Sequence, residues 1–316
     1  MERIDIPGCG SICMHEIFPG IVLNYEEFKC KELSLFANEQ VMPKINGEMI
    51  EIGYCHEGRI QCEFEGGVCV YMGSGDLYAG LMGKYPPVNT FPMAEYKGIS
   101  IYIYIDELSK CLPEILKGAL IDIKTFQKRL FSSEKYFVKV GNCINWVGGK
   151  IERIFLDLFS LPDLPEAVIE SYLKIKVLEL ILLLNENCAN ENETKNKYYL
   201  KAQTEIVKNV HDELIKNLSN NLTLKQLAEK YNISQSGLSS CFKAIYGKSI
   251  AKYIKEYRIE YAASLLRKTD ETVMNISATV GYENQSKFAA AFKEAIGVNP
   301  TEYRKGDMDA FENLTL

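Results

Sequence analysis

The chain reads as an α+β protein: an N-terminal antiparallel β-barrel, a helical segment after it, and an all-α C-terminal domain built from a duplicated pair of helices. Three observations carry this. Apolar residues recur with period two from Met49 to Asp106, the spacing of a half-buried strand. After Asp106 the period becomes helical, and the last third of the chain matches itself at a lag of about 50 residues. With 316 residues, 47% of them hydrophobic and 25% charged, wholesale disorder and fibrous repeats are excluded, and more than one domain is expected.

In the period-two region, turn residues divide the pattern into Met49 to His56, Glu57-Gly58, Arg59 to Glu65, Gly66-Gly67, Val68 to Met72 and Gly73-Ser74-Gly75-Asp76. Each break reads as a hairpin turn. Ile99, Ile101, Ile103 and Ile105 alternate with Ser100, Tyr102 and Tyr104, which puts isoleucine on one face of a strand and hydroxyls on the other. Short strands at this spacing predict a small barrel over residues 1–110.

Residues 111–190 are expected to be helical. From Glu166 to Asn187 the apolar positions are so many that the helix needs cover on two sides, between domains or between two copies of the chain. It is read as a dimerisation segment. The polar run from Asn185 to Lys197 reads as a linker, with the domain boundary near Asn196.

Charge separates the same parts. Residues 1–195 hold 19 Lys/Arg against 28 Asp/Glu, and residues 196–305 hold 17 against 11, although the whole chain has a formal net charge of -6. The local excess matters more than the total, because salt screens the acidic part beyond about 8 Å. Ten scattered cysteines (Cys9, Cys13, Cys30, Cys55, Cys62, Cys69, Cys111, Cys143, Cys188, Cys241), with no basic start and apolar core at the N-terminus, predict reduced thiols and a cytoplasmic protein. The longest uncharged apolar stretch, Leu180 to Leu184, is far below the roughly 18 to 20 residues that cross a bilayer.

The duplication is specific. Leu227-Ala228 through Asn232, then Leu238, Phe242-Lys243 and Gly247, recur as Ile276-Ser277 through Gly281, then Phe288, Phe292-Lys293 and Gly297. The lag is 49 before the turn and 50 after it. Asn232 and Gly281 suit a tight turn at positive φ, and Ser234 and Asn284 suit the caps of the helices Gln235–Tyr246 and Gln285–Ile296. This is helix-turn-helix logic: the first helix braces, and the start of the second enters the DNA major groove, about 12 Å wide. A helix over Ser249 to Lys268 would separate the two readers by about 25 Å.

The run from Leu222 to Arg304 resembles the AraC/XylS transcriptional regulators. Its most telling part is VMNISATVGYENQSKFAAAFKEAIGVNPTEYR, from Val273 to Arg304, with Gly281, Phe288, Phe292, Gly297, Pro300, Tyr303 and Arg304 in place. GYENQSKFAAAF and GYCHEGRIQCEFEG are similar to the PchR-type siderophore-responsive subgroup. The resemblance implies base-facing Gln235, Ser236, Ser239 and Ser240 in the first reader, with Lys243 near phosphate. In the second it implies base-facing Gln285, Ser286, Lys287 and Ala290, with Lys293 near phosphate and the cap Asn284 also among the DNA-binding residues. Many relatives carry Arg where this chain has Ser240 and Ala290. Bidentate Arg to guanine is the commonest specific contact, so weaker direct readout is expected, with specificity resting more on Gln, Asn and Lys contacts, on DNA deformability, or on pairing two chains on adjacent sites.

The resemblance also implies a cupin-like sensing barrel, a homodimer, promoter DNA and RNA polymerase as partners, activation as the outcome, and a small-molecule effector such as a siderophore or other metabolite. Tyr54, Tyr71, Tyr78, Tyr102 and Tyr104 could offer stacking surface and hydroxyls to a ligand, and Arg59 an anion partner. Cys55, His56, Cys62 and Cys69 raise a metal or redox reading, but their spacing is not a metal signature and Cys62 reads as a buried thiol. Three histidines, no GxxxxGK, no GxSxG and no HExxH argue against an enzyme, and no cofactor is expected. The alternative is a cupin-type metal-binding protein or enzyme with a helical interaction domain.

Overall fold

The computed structural model describes residues 1–33, 48–64, 67–82, 89–131, 137–142, 149–187 and 198–306. It separates into Met1–Lys201 and Ala202–Leu316. The polar run assigned to a linker lies outside the described residues after its first three.

The strands of the first unit are β1 (Glu2–Ile6), β2 (Gly10–Phe18), β3 (Ile21–Phe28), β4 (Glu32–Leu33), β5 (Met49–Phe64), β6 (Val68–Gly73), β7 (Asp76–Met82), β8 (Asn89–Thr90), β9 (Tyr96–Tyr104), β10 (Phe137–Asn142) and β11 (Tyr199–Leu200). Its helices are α1 (Ile105–Lys110), α2 (Glu114–Gly118), α3 (Ile123–Leu130), α4 (Lys150–Phe159) and α5 (Glu166–Asn187).

The main pairing path runs β1-β2-β3-β9-β5-β6-β11. Among the described residues it has two ends and does not close, so the expected barrel is corrected to two open sheets. They share β5. Its first half pairs with β9 and β7, and its second half with β6 and β8.

Only one of the three expected turns is a hairpin. β5 and β6 pair antiparallel, from Arg59 opposite Gly73 to Phe64 opposite Val68. At Glu57-Gly58 the strand continues instead, through a register shift between Cys55 and Glu57 with Gly58 at φ 77°. An extra residue in a bulge bends a strand without ending it, and a bent strand can serve two sheets. The Gly73-to-Asp76 turn carries the chain from β6, in the second sheet, to β7, in the first.

Isoleucine and hydroxyl faces separate on β9 as the alternation predicts. Ile99, Ile101 and Ile103 join a core beneath α1 to α5, formed with Leu173, Val177 and Ile181 of α5 and with Phe155 of α4. The opposite face of this sheet meets the second sheet around Phe28, Phe91, Tyr96, Cys62 and Met72. Residues 111–190 are not helical throughout, since β10 extends the sheet beside β7. On α5, Val168 and Ile175 remain exposed. Cys9 and Cys30, expected as reduced thiols, are joined as a disulfide. The turn after β1 meets the end of β3 there, with Lys29 N donating to Cys9 O at 2.6 Å.

The second unit is helical: α6 (Lys201–Lys216), α7 (Leu224–Lys230), α8 (Gln235–Tyr246), α9 (Ile250–Lys268), α10 (Val273–Thr279), α11 (Gln285–Ile296) and α12 (Pro300–Lys305). Ile259, Ala262, Ala263 and Leu266 of α9 pack with Ile276, Phe288, Phe292 and Tyr303 into one core. Among the described residues, no helix is long and apolar enough to cross a membrane.

Candidate nucleic-acid interface

Each half of the duplication is built by the same local chemistry. Thr223 caps α7 in a reciprocal box: Gln226 N donates to its Oγ1 at 3.3 Å, and Thr223 N donates to Gln226 Oε1 at 2.8 Å. Thr272 caps α10, accepting from Asn275 N at 3.1 Å. Both bracing helices end at a left-handed residue, Asn232 at φ 50° and Gly281 at φ 85°. The turns then close with matching bonds, Ile233 N to Ala228 O at 3.0 Å and Tyr282 N to Ser277 O at 2.8 Å.

Ser234 opens α8, accepting from Gly237 N at 3.1 Å. Asn284 opens α11, its Oδ1 accepting from Ser286 N at 2.8 Å and Lys287 N at 3.2 Å. Leu238 and Phe242, like Phe288 and Phe292, are fully buried, which turns the polar face of each helix outward. Gln235, Ser236 and Lys243 are exposed on α8, with Ser239 and Ser240 half-buried. Asn284, Gln285, Ser286, Lys287, Ala290 and Lys293 are all exposed.

Charge on these helices is not cancelled locally. Lys225, Lys230, Lys248 and Lys255 pair with Glu229, Glu213, Glu256 and Glu294. Lys243, Lys287 and Lys293 form no ion pair among the described residues. Lys287 lies in the first turn of α11, where the positive end of the helix dipole adds to its charge and favours an anion, while Lys243 and Lys293 lie in the last turns of α8 and α11. Glu213 of α6 anchors the first bracing helix, taking hydrogen bonds from Lys230 and Tyr231 that hold its carboxyl below the usual range.

The repeat extends beyond its sequence-level bounds. Ser249 and Asn299 open α9 and α12, and Tyr253 N and Tyr303 N each donate back to them at 2.9 Å. Tyr253 meets Phe242 edge-on at 5.7 Å, as Tyr303 meets Phe292 at 5.4 Å. Sequence reasoning missed this pair, although the lag of 50 residues continues through it.

A helix-turn-helix domain family model matches residues 227–306. A Streptomyces lividans protein described as an AraC-like transcription regulator is 39% identical over 83 residues, 26% of this chain and 27% of that protein. The HTH-type transcriptional activator AarP of Providencia stuartii is 29% identical over 121 residues, 38% of this chain and 90% of its own length. Residues 227–306 are a helix-turn-helix domain. Among solved structures, the C-terminal domain of AraT, a response regulator from Geobacillus stearothermophilus, is 38% identical with a TM-score of 0.31, over 33% of this chain and 86% of that one. The chain spans about a quarter of the length of the first curated relatives it matches.

The ligand candidates of the first unit do not lie together. Tyr54 stacks on Phe155 of α4 at 4.6 Å, outside the first sheet. Tyr71 donates to Gln61 Oε1 at 2.9 Å on the far face of the second sheet, and Arg59 lies over Gly73. Tyr78 and Tyr102 do converge, both donating to Glu51 Oε1 at 2.9 and 3.4 Å. Tyr104 shares their face, half-buried. Glu51 and its neighbour Glu26 were not singled out from sequence, although period two places Glu51 with Gly53 and Cys55. His56 stacks on Phe159 at 4.0 Å, and burial pushes the Cys62 thiol up. Among the described residues, no three of His, Cys, Asp and Glu gather as metal ligands.

Proposed function

We propose that this chain is a ligand-responsive transcription regulator that binds double-stranded promoter DNA through the first turns of α8 and α11. The observation that carries the reading is the pair of identically closed turns, each followed by a capped helix whose outer face is polar and whose lysines form no ion pair among the described residues. In this reading Gln235, Ser236, Ser239 and Ser240, then Asn284, Gln285, Ser286, Lys287 and Ala290, meet base edges or the sugar-phosphate rim. Lys243 and Lys293 meet phosphate.

The strut α9 has 19 residues, about 28 Å at 1.5 Å per residue. Adding helix thickness brings this close to one DNA turn of about 34 Å, so one chain can address two successive major-groove segments. The first unit serves as the small-molecule sensor, with a siderophore or other metabolite as effector if the PchR-type likeness extends to it. The exposed Val168 and Ile175 of α5 pair two chains. The name of AarP, a transcriptional activator, supports activation, with RNA polymerase as the further partner.

A gel shift with the chain's own promoter tests this, using the full chain and residues 196–316. Retarded DNA with affinity falling steeply as salt rises is expected. No shift at low salt with either protein would overturn the reading.

A further inference from the structure

The inner face of the first sheet gathers two carboxyls, an amide and several hydroxyls. Register places Glu51 of β5 opposite Tyr102 of β9 and Gly80 of β7, and Gly53 opposite Ser100 and Tyr78. Asn24 and Glu26 of β3 stand opposite Ser100 and Gly98. Glu51 Oε1 accepts from Tyr78 at 2.9 Å and Ser100 at 3.1 Å. The Tyr102 hydroxyl lies 3.4 Å from that oxygen and 3.3 Å from Glu26 Oε1. It has one proton, so it serves one carboxylate at a time.

Two further polar atoms on this face are enclosed without a partner, Asn24 Oδ1 and the Tyr96 hydroxyl. Their residues are 2% and 0% exposed. The Tyr96 hydroxyl lies over Gly98, where a Cβ would stand 2.2 Å from it, next to Glu26 in register. Among the described residues, no basic side chain acts on either carboxyl. Burial, with Glu51 beside it, pushes Glu26 up to about 8. Glu51 is only partly buried.

A buried acid without a cation destabilises a fold, so packing alone does not account for Glu26, which is buried. A neutral polyol would supply donors but leave the charge unbalanced. We propose that this inner face binds an organic ammonium ion, its N–H groups donating to Glu26, Glu51 and Asn24 Oδ1 and its positive charge offsetting the negative charge of the acids. Binding releases the Glu26 proton to solvent. The proposal rests on the sensor reading of the first unit.

Isothermal titration calorimetry of the full chain with putrescine, agmatine and n-butylamine tests it, against 1,4-butanediol and succinate. Saturable binding of at least one of the three cations is expected, with neither control binding. Glu51→Gln and Glu26→Gln, each checked by circular dichroism and by retained DNA binding, should weaken it at least about tenfold. If both variants unfold, the unmodified chain decides. Cation affinity should then rise from about pH 6 to about pH 8 as Glu26 loses its proton, with Glu51, Tyr78, Tyr96, Tyr102 and Cys62 the titratable groups around it.

No binding of any of the three cations, equal binding of the diol, undiminished binding by folded variants, or a flat pH profile overturns the proposal. Titration without DNA keeps this result separate from the gel shift. A cation that binds without changing DNA affinity would sink the sensor reading and leave the site standing.

Discussion

A Cβ on Gly281 would stand 2.8 Å from Nη2 of Arg258. That same nitrogen donates to the Leu218 carbonyl and to Asn221 Oδ1, so the second turn rests on a guanidinium already committed to the loop after α6. The Leu218 carbonyl itself would be 2.3 Å from the added carbon, and backbone cannot swing aside as a side chain would. Gly281→Val therefore combines a left-handed backbone, about 1 to 3 kcal/mol of strain, with a steric clash. DNA affinity should drop to that of one reader and the melting temperature should fall. Full affinity at an unchanged melting temperature would remove the turn assignment.

Lys293→Ala and Gln285→Ala separate charge from readout. The lysine variant should weaken binding to every sequence and reduce the salt slope by about one. The glutamine variant should change preference at one base position by about 1 to 3 kcal/mol. Competition binding on a substituted operator set measures both. Equal losses on every DNA for the two variants would show that these roles are wrongly divided.

Asn284 has two duties that one substitution can part. It caps α11 by accepting two backbone N–H bonds, and its loss to alanine should cost about 1 kcal/mol of stability. Asn284→Ser keeps a cap. If serine restores both melting temperature and DNA affinity, the residue acts by positioning α11. Restored stability with affinity still reduced would assign it a DNA contact.

Stability should also fall as pH rises through the neutral range. Glu26 is raised from its ordinary 4.5 to about 8 in the fold, first by burial and then by Glu51. Between those values the folded chain holds a proton that the unfolded chain has lost, so the penalty is absent below about 4.5 and complete above about 8. The slope from this group approaches roughly 1 kcal/mol per pH unit. Urea titrations from pH 5 to 8 should show the loss in the unmodified chain and not in Glu26→Gln. A Glu26→Gln variant with the same pH slope would count against this carboxyl as its source.

The two readers were legible because their signals are local. A positive-φ residue, a cap three positions before a backbone N–H and apolar pairs at i and i+4 all act within a few residues. A duplicate at nearly constant lag makes such signals mutually confirming. The strands β1 to β3 were legible in principle, since Ile21, Leu23 and Tyr25 alternate after Pro19-Gly20. Glu57-Gly58 misled because turn residues also form bulges, and the choice between them depends on whether partner strands continue on both sides. Here β9 pairs with Glu57 and Gly58 as well as with Cys55.

Period and turn chemistry in the chain itself determined that alternating strands precede a helical part, and that the helical part contains one unit used twice. Tertiary packing decided which side of each strand faces helices and which faces a second sheet. That choice put Tyr54 under α4 while Tyr78 and Tyr102 turned inward to Glu51. Alternation says only that neighbouring side chains point to opposite faces. Which face encloses two carboxyls follows from pairings between residues some 50 positions apart, and no local pattern encodes those.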